Sequence, residues 1–368
     1  MAGRGAIVHE WVEQSGGAEQ VVDAFLSAFP DADLYALWTD APERFDKHVQ
    51  ESWIARTPLR RKKALALPFL LPTWRQLTAR RAYDWMLVSS HLFAHHARFS
   101  NSPETRKFVY AHTPARYIWS PELDRRGDGR LARAAAHFIR PVDRHRAKEA
   151  DSIAANSEYV RARIEDYWER DARVIYPPVN VDRITARSDW AETLSTQEQS
   201  VVDRLPSAFL LGASRFIPYK RLDLVIAAGA SLGIPVVVAG RGPEEQRLRE
   251  LATDLRSDVT FVISPSDSLL FSLYQRAHAF VFPVVEDFGI MPVEAMAAGC
   301  PVIAPGIGGT AETVVDGESG SWMADLSLQA ICDAVERVGR INRAQVPDSV
   351  ARFRTARFVA ETTEWIGV

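Results

Sequence analysis

The chain has 368 residues, 47% hydrophobic and 25% charged, ordinary for a globular protein and, at roughly 100–200 residues per domain, enough for two domains. A formal net charge of −3 and a pI near 6.3 argue against a general nucleic-acid binder, which carries a basic face. The two cysteines, Cys300 and Cys332, stand in no CxxC or Cys/His pattern, so neither a disulfide framework nor a zinc site is expected and a reducing, cytoplasmic setting is the default. The N-terminus lacks the apolar core of a signal peptide, and no run of about 18 apolar residues suggests a membrane span.

In chain order, residues 5–9 read as a strand. Residues 17–29 read as a helix, because Ala18, Val21, Val22, Phe25, Leu26 and Phe29 recur at helical spacing. Further strands are expected at 85–89, 107–111, 152–155 and 174–176. Pro177-Pro178 and a polar stretch through Ser200 then break the pattern. A second series of strands, nearly continuously apolar, is expected at 209–212, 235–239, 259–263, 279–282 and 302–304, as for parallel strands buried on both faces. The final segment, 353–368, reads as a helix with Phe358, Thr362 and Trp365 at packing positions. The expected organisation is an α/β chain. It has an N-terminal Rossmann-like domain over 1–178, a linker over 179–205, a second Rossmann-like domain over 206–345, and a C-terminal helix over 346–368 packing back on the first domain. Ligands of such open sheets bind at the carboxyl ends of the strands.

Four constellations fall at such ends. Ser15-Gly16-Gly17-Ala18-Glu19 opens the first helix, where Gly16 and Gly17 permit close backbone approach and a helix N-terminus attracts an anion; a plain tight turn is the alternative. Arg215 and Lys220, in Gly-Ala-Ser-Arg-Phe-Ile-Pro-Tyr-Lys-Arg, follow a strand and precede a helix. Fixed cations there can stabilise the charge of a departing diphosphate without Mg²⁺; a solvated charged loop is the alternative. In Glu286-Asp287-Phe288-Gly289-Ile290-Met291-Pro292-Val293-Glu294, a helix is expected to open near Pro292 and stop at Gly299. Glu286 and Glu294 suit recognition of sugar and ribose hydroxyls, and the backbone of Phe288, Gly289 and Ile290 suits an anion or a sugar; a capping carboxylate plus a surface glutamate is the alternative. His112, in Tyr-Ala-His-Thr-Pro, ends a strand of the first domain and can donate or accept a hydrogen bond there; a structural histidine is the alternative.

Taken together these residues resemble the family-4 retaining glycosyltransferases, over nearly the whole chain. The Glu-x7-Glu element at Glu286 and Glu294 is the most specific part, joined by Arg215, Lys220 and the segment Ile175-Tyr176-Pro177-Pro178-Val179-Asn180. His9-Glu10-Trp11, His112-Thr113-Pro114 and Glu286-Asp287-Phe288-Gly289-Ile290 look most like the branch of O-antigen-type mannosyltransferases. The resemblance implies a GT-B fold with two Rossmann-like domains facing a cleft, the acceptor held mainly by the first and a nucleoside-diphosphate sugar by the second. It implies that Arg215 and Lys220 hold the diphosphate, Glu286 the sugar hydroxyls, Glu294 the ribose, and Gly16-Gly17 the phosphates, with His112 beside the transferred sugar. The resemblance further implies that anomeric configuration is kept without a protein nucleophile, so Glu286 is read as a positioning group. No metal or other cofactor is expected. GDP-mannose is the favoured donor by resemblance, and a glycan or lipid-linked glycan the acceptor. Gly-Ala-Ser before Arg215 departs from the Gly-Arg of many relatives. A non-catalytic nucleotide-sugar or glycan-binding module, or another GT-B enzyme such as an epimerase, remains the alternative.

One stretch points elsewhere. Residues 54–81 interleave Arg56, Arg60, Arg61, Lys62, Lys63, Arg75, Arg80 and Arg81 with leucines, Phe69 and Trp74, around Pro68 and Pro72. Such a segment can lie on an anionic leaflet, with Arg60, Arg61, Lys62, Lys63 and Trp74 as the patch; a loop whose leucines turn inward is the alternative. His91, His95 and His96 stand at helical spacing but lack the glutamate of a metalloprotease helix, so no metal site is expected.

Overall fold

A computed structural model describes residues 3–14, 16–121 and 129–367; Ser15, quoted above, lies outside them. The chain divides into two compact units, one formed by Met1–Pro178 with Thr355–Val368 and the other by Val179–Arg354.

Among the described residues, the first unit contains a seven-stranded sheet: β1 (Gly5–His9), β2 (Asp33–Ala36), β3 (Val49–Glu51), β4 (Trp85–Ser90), β5 (Arg106–Ala111), β6 (Ser152–Ala155) and β7 (Arg173–Val174). All pairings are parallel, in the order β3-β2-β1-β4-β5-β6-β7, so the order reverses between β1 and β4. The expected strands appear at their places, except that the one expected at 174–176 is only Arg173–Val174. Two were not anticipated: β2 and β3, of four and three residues.

The helix Gly17–Ala28 buries Val21, Val22, Ala24 and Phe25, the face its spacing predicts. The closing helix, Thr355–Ile366, packs on it: Phe358 stacks on Phe25 at 5.4 Å between ring centres, and Trp365 meets Phe108 edge-on at 5.5 Å. The Trp365 indole N–H also donates to Ser152 Oγ at 2.8 Å. Burial of a phenylalanine of this kind is worth about 3–5 kcal/mol against alanine.

The second unit contains a six-stranded parallel sheet, again among the described residues: β8 (Leu210–Arg215), β9 (Val236–Arg241), β10 (Val259–Ile263), β11 (Ala279–Val281), β12 (Val302–Pro305) and β13 (Gly320–Met323). Its order is β10-β9-β8-β11-β12-β13, with the reversal between β8 and β11. Strand β13 was not anticipated.

The stretch expected as a linker, 179–205, instead folds onto this unit through short helices at Val181–Thr185, Trp190–Thr193 and Thr196–Val202. Trp190 is its anchor: the ring is buried, lies 4.9 Å edge-on from Phe271, and donates its indole N–H to Ile184 O at 3.0 Å. Similarly, residues 346–354 do not start the closing helix. Val346, Val350 and Phe353 are buried in the second unit, and the helix begins at Thr355.

Candidate active site

In the second unit the chemistry gathers where the strand order reverses, the place where open parallel sheets bind ligands. Lys220 ends a short 3-10 turn, Pro218–Lys220, that follows β8 and is closed by Arg221 in the left-handed region (φ 48°). Glu286 lies in the loop after β11. The Lys220 ammonium donates to Glu286 Oε1, and the Tyr219 hydroxyl donates to the Val285 carbonyl, so the two loops are tied twice. The side chains are 12% and 21% exposed, which leaves both reachable by a ligand.

A third loop supports the second. The Gly309 N–H donates to the Glu286 carbonyl at 2.8 Å. A β-carbon on Gly309 would stand 2.2 Å from Phe288 Cα, so only glycine lets the Glu286–Gly289 loop lie against this turn. Sequence reasoning missed the contact; Gly306-Ile307-Gly308-Gly309 after an apolar run was its signal. The Phe288 ring is buried and meets Phe353 edge-on at 5.3 Å, so this residue offers a ligand its backbone and not its ring. Gly289, at φ 92°, turns the chain into the helix Ile290–Ala297. Glu294 sits half-buried on that helix. Burial, then the nearby charge of Asp267, raises its carboxyl to about 7, with Arg183 opposing.

Arg215 is the exposed last residue of β8. Its register partner on β9 is Arg241, also exposed, so two arginines are backbone neighbours at the carboxyl end of the sheet. Arg241 went unnoticed in the sequence because it lies beside Arg215 only through strand pairing.

In the first unit, Gly16 caps the helix Gly17–Ala28. A β-carbon there would fall 2.2 Å from Glu19 Oε2, because the Glu19 side chain folds back over the helix start. Burial acts to raise this carboxyl, but the His9 imidazole 3.9 Å away, with a backbone N–H, brings it below its ordinary value. The helix N-terminus therefore already has a carboxylate of its own, which opposes a second anion at Gly16 and Gly17.

His112 follows β5, half-buried, with Nε2 at 2.8 Å from Ser89 Oγ; Ser89 Oγ lies in turn 3.0 Å from His9 Nδ1. Burial, then the charge of His9, pushes the His112 imidazole down to about 3, so it is neutral. His9 and Ser89 are register partners on β1 and β4, which is why their side chains meet. Beside them Glu10 is fully buried and accepts the backbone N–H groups of Leu92 at 2.9 Å and Ala94 at 2.6 Å, shaping the turn after β4. Burial raises its carboxyl to about 7, against those hydrogen bonds.

The basic stretch differs from its sequence reading in two respects. Residues Lys63–Trp74 form one helix that runs through both prolines. Pro68 and Pro72 are exposed and four positions apart, so the carbonyls they free lie on the solvent side. Trp74 is fully buried in the core and takes no part in a surface patch. Lys63 pairs with Glu13 and lies 4.3 Å over the Trp11 ring, while Arg60 lies 3.9 Å from Asp40. Arg61, Lys62 and Arg56 are exposed, beside exposed Trp53, Leu65 and Phe69. Among the described residues no helix is long and apolar enough to cross a membrane.

The three histidines after β4 separate. His91 packs edge-on to Trp11 at 4.9 Å. His95 and His96 instead place Nε2 at 3.1 and 2.9 Å from Asp143 Oδ1, while the indoles of Trp119 and Trp168 donate to Oδ2 at 2.7 and 2.8 Å. Burial alone would raise the Asp143 carboxyl, but the two imidazoles hold it far below the usual range. The cluster reads as a buried carboxylate held by His96 and two indoles, with His95 beside it, a structural node of this unit.

Comparison with known families gives two adjoining matches, to "Glycosyltransferase Family 4" over residues 15–183 and to "Glycosyl transferases group 1" over residues 195–346. Among curated proteins, the chain is 31% identical over 242 residues to a GDP-mannose-dependent alpha-(1-6)-phosphatidylinositol monomannoside mannosyltransferase of Mycobacterium tuberculosis, covering 62% of this chain and 60% of that protein. It is 28% identical over 218 residues to the alpha-1,3/1,6-mannosyltransferase alg-2 of Neurospora crassa, covering 48% of this chain and 45% of that protein. The chain thus spans 60% or less of the length of these relatives. Among solved structures, Anabaena HepE in complex with UDP-glucose is similar with a TM-score of 0.72 at 18% identity, over 98% of this chain and 99% of that one. Sucrose-phosphate synthase from Thermosynechococcus elongatus is similar with a TM-score of 0.73 at 17% identity, over 98% of each chain.

Proposed function

We propose that this chain, which belongs to glycosyltransferase family 4 and has the GT-B fold, moves a hexose from a nucleoside-diphosphate sugar to a hydroxyl of a glycan or lipid-linked acceptor, with retention and without a metal. GDP-mannose is the donor of choice, supported by the mannosyltransferase relatives. The observation that carries the reading is the Lys220–Glu286 pair at the reversal point of the second sheet. An ammonium has three donors, and Glu286 takes one. Those remaining, with the guanidinium of Arg215, neutralise the diphosphate as the glycosidic bond breaks. Glu286 is left an acceptor for sugar hydroxyls, Glu294 one for the ribose, and His112 serves beside the transferred sugar. The acceptor hydroxyl attacks the anomeric carbon on the face the diphosphate leaves, which keeps the configuration without a covalent enzyme intermediate. Arg241 joins Arg215 as a second guanidinium for the anion.

The test is a thermal-shift panel of GDP, UDP, dTDP and ADP, each with EDTA. A ligand that binds only the folded chain raises the midpoint. A shift with GDP alone supports the mannosyl reading; a shift with another base renames the donor; none with any moves the chain to a non-catalytic module. Transfer from the matching sugar nucleotide, with the anomeric configuration of the product read by NMR, then tests retention.

A second reading concerns the acceptor. Exposed Trp53, Leu65 and Phe69, with Trp53 and Phe69 edge-on at 6.0 Å, lie in the same stretch as Arg56, Arg61 and Lys62. We propose that this patch rests on an anionic leaflet, each cation contributing about 1 kcal/mol. Salt-sensitive co-sedimentation with anionic vesicles, lost on Trp53→Ser with Phe69→Ser, is the expected result; equal binding by the variant refutes it.

A further inference from the structure

In the second unit, two successive residues of one loop hold two successive residues of another. After β8, Tyr219 donates its phenol O–H to the Val285 carbonyl, and Lys220 donates to the Glu286 carboxylate. Val285 and Glu286 lie past the end of β11, where strand pairing no longer fixes the chain. Their other side rests on the loop after β12. There the Gly309 N–H donates to the Glu286 carbonyl at 2.8 Å, and a β-carbon on Gly308 would stand 2.8 Å from that same oxygen.

These ties differ in kind. Lysine and glutamate meet through long side chains rich in rotamers, so their contact tolerates movement of the loops that carry them. A tyrosine has two side-chain torsions and a rigid ring, and a backbone carbonyl is a fixed acceptor. The Tyr219 hydrogen bond therefore sets the distance between the loops more tightly than the ion pair does. It is also the tie that a ligand leaves alone. An anion drawing on Lys220, or a hydroxyl drawing on Glu286, competes with the ion pair and not with a phenol bonded to a carbonyl. The ring adds a further restraint. Lys220 Nζ lies 5.6 Å from the centre of the Tyr219 ring and 5.5 Å from that of Phe282, so each side of the clamp brings an aromatic ring near the ammonium.

We infer that Tyr219 is a positioning residue for the donor site: its hydroxyl holds the loop carrying Glu286 at the distance from which Lys220 and Glu286 serve one ligand together. This rests on the proposed reading of that pair as the place of the diphosphate and the transferred sugar. Tyr219 acts through Val285 and Lys220. Ground-state binding of a diphosphate, which that reading spreads over Lys220, Arg215 and Arg241, tolerates a loosened loop. The transition state does not, because charge and geometry must be met there at once.

The test uses the full chain with GDP-mannose, or with the sugar nucleotide of whichever base the diphosphate panel selects. It reads diphosphate release with water as acceptor, the dissociation constant of the free diphosphate, and the thermal midpoint. Tyr219→Phe keeps the ring beside Lys220 and removes only the hydroxyl. It is expected to lower kcat about tenfold while the diphosphate dissociation constant changes by less than about threefold. A hydroxyl that serves the fold alone would lower the midpoint and leave kcat of the folded chain unchanged, and that outcome overturns the inference. Tyr219→Leu, which removes the ring as well, is expected to lose more than Tyr219→Phe; wild-type turnover in it also overturns the inference. In a Lys220→Ala background no pair is left to position, so adding Tyr219→Phe is expected to cost less than about twofold more. The full tenfold loss there would show that the hydroxyl acts apart from the pair, against the inference. Two failures are distinguishable. An impaired Lys220→Ala with a normal Tyr219→Phe refutes the inference alone, whereas normal turnover in Lys220→Ala refutes the reading of the pair and the inference with it.

Discussion

Lys220 and Glu286, 66 positions apart, meet as an ion pair across the point where their sheet reverses its strand order. A lysine after one central strand and a glutamate after its neighbour would be unremarkable apart. Paired and partly exposed, they combine a charge for a leaving anion with an acceptor for hydroxyls. Lys220→Ala and Glu286→Ala are each expected to lower kcat by about 10²–10³, while the midpoint of thermal unfolding moves by only a few degrees, because water reaches both groups. The double variant is expected to lose little more than the worse single, since either change dismantles the pair. Near-normal turnover in either single variant would refute the assignment.

Metal independence is the second expectation. Four cationic groups belong to this end of the second sheet: Arg215, Lys220, Arg221 and Arg241. Arg221 is partly engaged by Asp223 at 3.2 Å and Lys220 gives one hydrogen to Glu286, which leaves Arg215, Arg241 and the other Lys220 hydrogens for the diphosphate. Activity measured with EDTA is expected to equal that with Mg²⁺. A strict Mg²⁺ requirement would mean these cations do not carry the leaving-group charge.

Much of the fold was readable from the chain because its central strands are buried on both faces and so are nearly uninterrupted apolar runs. β1 and β6 begin and end where those runs do. The strands β2, β3 and β13 went unread: Val49–Glu51 and Gly320–Met323 carry no uninterrupted apolar run, and at β2 the apolar run 34–38 continues beyond the strand. In the candidate site, residues adjacent in sequence to glycines and prolines announced themselves, as Gly289 and Pro218 did. Residues brought in by strand register did not: Arg241 beside Arg215, and Ser89 between His9 and His112. Trp74 misled because an aromatic among arginines looks the same whether its ring faces outward or, as here, inward.

The Gly309 turn gives a third expectation. Gly309→Ala would put a β-carbon 2.2 Å from Phe288 Cα and 2.5 Å from the Asp287 carbonyl, both backbone atoms that cannot rotate away. The Glu286–Gly289 loop must shift. The cost expected is about 1–3 kcal/mol of stability, together with weaker donor binding, since the loop carries Glu286. Gly317→Ala, at a turn with open space around its β-carbon, is the control: its strain is backbone only (φ 81°), and donor binding is expected to hold. Equal donor affinity in Gly309→Ala would show that the loop's position does not matter to the ligand.

Glu294 makes the pH dependence predictable. Its carboxyl is raised from 4.5 to about 7, chiefly by burial and then by Asp267. A group whose folded pKa exceeds its unfolded value supports the fold fully below the unfolded value, and that support is lost as pH rises through the folded one. Between about pH 4.5 and pH 7 the wild type therefore loses stability at this residue, by about 3 kcal/mol at most. Glu294→Gln, which cannot ionise, is expected to unfold at a higher temperature than wild type at about pH 8 and to match it at about pH 4.5. Ribose recognition runs the other way. A carboxylate accepts hydroxyl hydrogens better than a carboxylic acid, so donor affinity in the wild type is expected to rise from about pH 6 to pH 8 and to be flat and weaker in Glu294→Gln. The glutamate would then be retained against its own cost to the fold, and the two pH profiles, of opposite slope, separate its ligand role from its structural one. A wild-type donor affinity independent of pH over that range would refute the assignment of Glu294 to the ribose.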